Sequence, residues 1–386
     1  MKKRRKFLFV ILFFGLLLPI FTENAAAEDY TFRFEKAPDE VADDAYEEYL
    51  NRLPEDIREK IGDTEDAQDA QDAIRQYDVS YFAEQIRETL LAALLPGCKT
   101  LSGLLGMVIL ASAFRMLSGT LKTPGLETAF SLCCTLCMAL TLYQVETSLF
   151  QTARAVLDLL GQTMLLILPV MESVYISGGN ITAAAVSGTG ISLMITFLES
   201  FSAQVLAPCV SICFLLSITA AVTGNRAIAF MTGTLRGIVT GILVLSMALM
   251  NFVLSMQTGI ATAADTFAAK TIKFALGSYL PIVGGSVAES FSMLSASAGV
   301  IKQLSGTTGI VVIVLILLAP IATLIVNRIA LGISGSVAGA LSCDREQALI
   351  REVGSLCTLM IAIVAAAGAM YILALSLFCK ASLAYH

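Results

Sequence analysis

Long apolar runs fill residues 89–386 and constrain the fold more than any other feature of the sequence. This part of the chain carries only 10 Asp and Glu and 13 Lys and Arg among its 298 residues. A helix that spans a bilayer needs about 20 consecutive, mostly apolar residues, and lipid requires every backbone polar group to be bonded internally. The sequence therefore predicts an all-α, polytopic membrane protein with about 6–8 spans.

Eight apolar runs fit this expectation. They are residues 101–121, 126–148, 161–179, 182–199, 203–223, 237–257, 309–328 and 355–379. If the chain enters the first run from outside the cell, the loops near Lys122, Arg226 and Arg345 lie in the cytoplasm. The bias of basic residues toward the cytoplasm is then weak, because almost as many of them lie in the outer loops.

Residues 1–27 have the pattern of a signal peptide. A basic stretch, Lys2–Lys6, precedes an apolar core of 15 residues, Phe7–Phe21, and Ala25-Ala26-Ala27 fits the small-x-small site of signal cleavage. We predict cleavage between Ala27 and Glu28. The alternative is an uncleaved first span, for which 15 residues are short. In either case the residues that follow are expected outside the cytoplasm.

Residues 28–97 form an acidic segment between the signal and the first span. Residues 28–88 hold 20 Asp and Glu against 7 Lys and Arg, a net charge of about −13. Residues 40–61 and 78–95 repeat apolar side chains every three or four positions, as amphipathic helices do, and Pro96-Gly97 is expected to end the second helix. We predict an extracytoplasmic helical segment with a thin core, which packs on the membrane or a partner.

The multi-span membrane domain, residues 98–386, contains one stretch that is too polar for two spans and too apolar for a loop. This stretch, residues 265–305, includes Pro281 and the Gly284-Gly285 pair, which would break a helix within the membrane. Such a break is tolerated only inside protein or beside an aqueous cavity, so we predict a broken or re-entrant helix. A pair of interfacial helices is the alternative. The candidate functional residues are Lys270, Lys273, Gly277, Pro281, Gly284 and Gly285.

Four charged residues are predicted to lie within or near the spans: Arg115, Glu172, Glu199 and Glu289. A charge at the centre of a spanning helix costs about 2.5–3.5 kcal/mol on insertion scales, so these side chains should face the bundle or lie at its margins. A functional interpretation is a polar path or a contact with a partner. The alternative, snorkelling near the span ends, suits Arg115 and Glu199.

Two G-x-x-x-G pairs, Gly237/Gly241 and Gly335/Gly339, remove side chains from one face of a helix. Such faces let neighbouring helices approach closely. We predict tight packing within one subunit, and the alternative is association with copies of the same chain as a homo-oligomer.

The sequence lacks the motifs of common membrane-embedded enzymes. His386 is the only histidine, so no internal histidine can activate Ser334 in its G-x-S-G context. Neither H-E-x-x-H nor a P-loop motif occurs, and Cys134-x-x-Cys137 within an apolar run indicates helix packing rather than redox or metal chemistry. The chain has no basic patch suited to nucleic acid. We therefore expect no enzyme activity, no cofactor, no metal site and no nucleic-acid partner.

The order of a signal, an acidic exported segment and a polytopic body resembles the stage III sporulation protein AE family of endospore-forming bacteria. The stretch from Lys270 to Gly285, K-x-x-K-F-A-L-G-S-Y-L-P-I-V-G-G, is similar to the most recognisable stretch of that family. The resemblance covers essentially the whole chain, and the acidic segment is its least diagnostic part.

The resemblance implies a role in sporulation. Family members are made in the mother cell and inserted in the membrane that surrounds the forespore. With other stage III sporulation membrane proteins and, indirectly, a forespore-membrane partner, they form a channel or secretion-like complex needed for late forespore sigma-factor activity. No catalytic residues carry over from the family. The alternative is an independent transporter or permease for a small solute, with residues 265–305 at its binding site.

Overall fold

A computed structural model describes residues 79–120, 124–177, 180–279 and 284–380. Within these ranges the protein is almost entirely helical and has no strand, which confirms the all-α prediction. The helices are α1 (Val79–Thr120), α2 (Pro124–Ser177), α3 (Ile181–Phe201), α4 (Ala207–Thr223), α5 (Arg226–Tyr279), α6 (Gly284–Ala340) and α7 (Asp344–Lys380). A π-helical turn, Ser202–Leu206, joins α3 to α4. The predicted signal peptide with Ala27 and Glu28, and the acidic segment up to residue 78, lie outside the described residues.

Six stretches in the described ranges are long and apolar enough to cross a membrane, which fits the predicted polytopic architecture. They are Tyr81–Leu117, Ala129–Ile176, Ile181–Thr223, Phe230–Ala268, Gly306–Ala340 and Asp344–Cys379.

The expectation of eight separate spans is wrong at two places. Runs 126–148 and 161–179 belong to one helix, α2, and runs 182–199 and 203–223 belong to the continuous helix from α3 to α4. The residues around Arg154 contain no Gly or Pro, and Arg154 and Asp158 form an i,i+4 pair at 4.0 Å that is compatible with a helix. The charged residues between the two apolar runs therefore lie within a helix and not in a loop.

Helix α1 continues through Pro96 and Gly97, where the sequence predicted an end. Gly97 lies directly against Val326 of α6, so that a side chain at residue 97 would overlap it. Packing of α1 on α6 stabilises the helix across a residue that local propensity disfavours.

The first and last helix pairs are antiparallel hairpins that lie side by side. Phe114 of α1 stacks on Phe130 of α2, and Gly368 of α7 lies against Leu317 of α6. Because Arg115 donates a hydrogen bond to a carbonyl between α6 and α7, both hairpins turn at the same end of the bundle, which we call the loop end. Helix α6 is central: six of the seven residues 311–317 are buried.

Helices α3 and α5 meet at the opposite end of the bundle. Leu254 of α5 lies against Gly190 of α3, and Asp265 accepts hydrogen bonds at the start of α3. Near the loop end, Arg236 of α5 pairs with Glu352 of α7 at 3.0 Å. The structure thus places α5 beside both α7 and the α3–α4 helix, while α3 also packs directly on α2.

Candidate functional site

Polar side chains from three helices converge at the loop end. The Glu346 carboxylate of α7 is completely buried, at 0 % exposure. Its Oε1 accepts a hydrogen bond from the Thr135 hydroxyl of α2 at 3.0 Å, and its Oε2 lies 3.4 Å from the Arg115 guanidinium of α1. Arg115 also donates to the Ser342 carbonyl. These four residues, the loop-end cluster, connect the two hairpins through a buried charge that needs its partners.

The turn between α6 and α7 positions Glu346. Ser342 has a left-handed backbone with a φ of 58°, and the N–H groups of Ser342 and Cys343 donate to carbonyls of α6 at 3.1 and 2.8 Å. These bonds satisfy carbonyl groups at the C-terminal end of α6. Helix α7 then begins at Asp344, and acidic residues in its first turn suit the positive end of the helix dipole. Burial raises the pKa of the Cys343 thiol, which keeps the thiol protonated near neutral pH.

A cavity of about 190 Å³ adjoins the loop-end cluster. It is lined by Ala111, Phe114, Arg115, Phe130, Ser131, Cys134, Arg345 and Glu346. The Arg345 guanidinium lies 3.4 Å from the Ser131 hydroxyl. Two guanidinium groups face one carboxylate, so the walls favour water or a small anionic group over a cation.

Arg115 is the predicted polar residue that the structure places in this cluster. Its position near the end of α1 agrees with the snorkelling alternative, yet its side chain is only 33 % exposed and is paired. The sequence prediction missed Glu346. A pair separated by 231 residues leaves no local pattern, and the only local signal was an acidic residue in a first helical turn.

Glu172 and Glu199 lie elsewhere, on α2 and α3. Glu172 is half-buried, and its carboxylate occupies the space beside Gly188 of α3, where a side chain would collide with it. Glu199 is exposed one turn before the π-helical turn. The predicted polar residues are therefore not gathered into one site: Arg115 is at the loop end, and the two carboxylates lie along the seam between α2 and α3.

The stretch from 265 to 305 is helical on both sides of residues 280–283. Helix α5 extends to Tyr279 and α6 begins at Gly284, and Lys270 is exposed on α5. Pro281 lies outside the described residues. The side chains of Lys273 and Glu289 also lie outside them, and so do the surroundings of Gly277, Gly284 and Gly285. The broken or re-entrant helix therefore stays a prediction.

Asp265, at the start of that stretch, has a role that the sequence prediction missed. Its Oδ1 and Oδ2 accept hydrogen bonds from the backbone N–H groups of Thr182 and Ala183 at 3.2 and 2.8 Å. The side chain of Asn180, the N-cap residue, makes no capping hydrogen bond, and Asp265 is only 8 % exposed. A residue of α5 thus satisfies donors at the start of α3 and complements its dipole.

Glu146 of α2 is a third buried acid whose position the sequence prediction missed. It is 4 % exposed, and neither carboxylate oxygen has a hydrogen-bond partner within the described ranges. Burial of a polar group without a partner opposes folding. Glu146 lies inside the predicted run 126–148, so the signal that selected the four other charged residues was also present for it.

The two G-x-x-x-G pairs differ in their surroundings. Gly335 and Gly339 of α6 lie against α7, as predicted for tight packing within one subunit. Gly237 and Gly241 of α5 have no atom within 4 Å of the position that a Cβ would occupy. They line an open groove of about 720 Å³ between α5 and α7, together with Gly233.

The described residues contain no group of three or more His, Cys, Asp or Glu side chains that could hold a metal ion. A family model described as stage III sporulation protein AE matches residues 65–382, most of the chain. Searches of curated proteins and of solved structures returned no match.

Proposed function

Since the chain belongs to the stage III sporulation protein AE family, we propose that it is a membrane component of a channel or secretion-like complex between mother cell and forespore. In this role it would be needed for late forespore sigma-factor activity. The observation that carries the proposal is the family match over residues 65–382. A bundle with six candidate spans supports an integral membrane position for this component.

We propose that the protein resides in the mother-cell membrane around the forespore, with the loop end in the cytoplasm. Basic residues near the loop end support this orientation under the positive-inside rule. They are Arg115, Arg226, Arg345 and Arg351. The acidic N-terminal segment would then lie in the space between the two membranes, where its net charge of about −13 suits a basic partner surface.

The proposed role is structural and assembling rather than enzymatic, without a cofactor and without nucleic acid. The loop-end cluster supports it, because its residues link helices instead of presenting a nucleophile and a base. The proposed partners are other stage III sporulation membrane proteins and, indirectly, a forespore-membrane protein.

A deletion strain tests the proposal. We expect loss of heat-resistant spores and of a reporter driven by the late forespore sigma factor, with engulfment still completed, and full restoration by the wild-type chain. Affinity-tagged protein from sporulating cells should copurify other stage III membrane proteins. Normal sporulation with loss of uptake of one solute would instead establish the transporter alternative.

A further inference from the structure

The helices are much longer than a bilayer is thick. Helices α2 and α5 each contain 54 residues, which correspond to about 80 Å at 1.5 Å per residue. The hydrocarbon core of a bilayer is about 30 Å thick, and a typical tilt of about 20° shortens the projection of a helix only slightly. A substantial part of each helix must therefore lie outside the hydrocarbon.

The exposed surface of α2 changes character partway along the helix. Its first half exposes the bulky side chains of Leu136, Leu140 and Tyr143. From residue 151 to 162 the exposed residues are Gln151, Arg154, Ala155, Asp158 and Gln162. Charged residues that face lipid in the bilayer centre are rare. The lipid-facing part of α2 therefore ends near Gln151, about 33 Å along the helix from Ala129.

The same change occurs at the same level on the neighbouring helix. Glu199 precedes the π-helical turn and Gln204 lies within it, and both residues are exposed. Gln204 is about 29 Å along the helix from Thr223 at the loop end. Gly161 of α2 lies against Ile195 of α3, which brings the charged residues of the two helices to one level.

We propose that the hydrocarbon core surrounds only the half of the bundle nearest the loop end, and that it ends at the level of Arg154 and Glu199. Beyond that level, the second part of α2 and all of α3 form the core of a helical head in water. The acidic exposed residues Glu84 and Glu88 at the start of α1 fit the same environment. Leu254 of α5 lies against Gly190 of α3, so the part of α5 that exposes Met256 and Ile260 is also beyond that level. The head therefore keeps an apolar face along α5 up to the exposed Lys270.

The apolar sequence of α3 predicts a helix that crosses lipid, whereas the boundary places α3 inside the helical head. Eleven of its 21 residues are buried against other helices, and its exposed positions include Thr182, Thr189 and Ser192. Helix α3 is therefore apolar because it packs inside the head, whereas α4 is apolar because it crosses lipid. The inference does not depend on the proposed sporulation role.

Depth-dependent fluorescence quenching tests the boundary, because the chain contains no Trp. Leu193→Trp and Leu215→Trp form a matched pair on the continuous α3–α4 helix, with exposures of 45 and 62 %. The full chain is placed in bilayers of mid-chain brominated or unbrominated phosphatidylcholine. We expect brominated lipid to quench Leu215→Trp at least threefold more than Leu193→Trp. Aqueous iodide should quench Leu193→Trp more.

A second matched pair, Leu165→Trp and Leu140→Trp on α2, repeats the test if a variant of the first pair fails to fold. The exposures of these two leucines are 48 and 68 %. Leu140→Trp should be quenched by brominated lipid and Leu165→Trp by iodide. Equal lipid quenching within a folded pair, or stronger lipid quenching at Leu193 or Leu165, would overturn the boundary and place both halves in the hydrocarbon.

Discussion

The two G-x-x-x-G pairs share one spacing but occupy opposite environments. Side chains at Gly335 and Gly339 of α6 would meet residues of α7, whereas side chains at Gly237 and Gly241 of α5 would meet nothing within 4 Å. Small residues permit a close approach between helices, but the position of a helix in the bundle decides whether a neighbour is present. The motif alone therefore does not separate a closed contact from an open face.

Burial of the two helices agrees with this difference. In the most apolar window of each span, 56 % of the residues of α6 are buried but only 24 % of those of α5. We therefore expect substitutions in the closed region, formed by α6, α7 and the loop-end cluster, to lower stability strongly. Equivalent substitutions on the open face of α5 should have small effects in the isolated protein.

The largest effect is expected for Arg115→Ala in the closed region. This change removes the guanidinium that pairs with the buried Glu346 carboxylate, and because Arg115 is one-third exposed the loss should lie at the lower end of the ~3–5 kcal/mol range of buried pairs. The unfolding free energy of the purified protein in detergent micelles measures the loss. Arg87→Ala, which removes an exposed i,i+3 pair with Glu84, is the control and should change stability by less than about 1 kcal/mol. Similar losses in both variants would contradict the importance of the loop-end cluster.

The second prediction compares one substitution in the closed region with one on the open face of α5. A Cβ at Gly368 would overlap Leu317 of α6, so Gly368→Val should destabilise the protein by about 1–3 kcal/mol through overpacking. Gly241→Val on the open face meets no neighbour, and valine favours a helix over glycine by less than about 1 kcal/mol, so stability should be unchanged or slightly higher. Both values come from unfolding in the same detergent. If Gly241→Val costs as much as Gly368→Val, the open groove of α5 is closed in the purified protein.

Asp265→Ala should have an intermediate effect, because it removes the acceptors for two N–H groups at the start of α3. The loss of a helix cap costs about 0.5–2 kcal/mol. Hydrogen exchange of Thr182 and Ala183 should accelerate in this variant, while exchange in α7 stays unchanged. Asp265→Asn keeps one acceptor and should retain part of the protection. Unchanged exchange in Asp265→Ala would show that the cap does not stabilise α3 in solution.

The sequence was sufficient to predict the helical class and the membrane character, because both follow from long apolar runs that act locally. Helix continuity was harder to predict. The gap between the apolar runs 126–148 and 161–179 suggested a loop, but its charged residues Arg154 and Asp158, four residues apart, are compatible with a helix. Pro96 suggested an end, but packing on Val326 stabilises the helix through it. Tertiary contacts outweighed local signals at both places.

The sites were less predictable than the fold because their partners are distant in sequence. Arg115 could be selected as a charge near a span, but its partner Glu346 lies 231 residues away. Asp265 could be noted as an acid in an unusual stretch, yet its bonds to the start of α3 depend on how two helices meet. A single sequence carries no periodic signal for such contacts.

The smallest expected effect on stability, at Gly237, is also the most informative about the open face. Gly237→Ala adds one methyl group where no atom lies within 4 Å, and alanine favours a helix over glycine by up to about 1 kcal/mol. The purified protein should therefore be unchanged or slightly more stable. Gly339→Ala, whose methyl group would require the Gln347 side chain to move, is the matched control in the closed region. Gly237→Ala could be stable in detergent and still reduce spore formation in cells. A partner would then occupy the groove in the assembled complex, because a methyl group on an open face can do harm only where a second molecule packs against it.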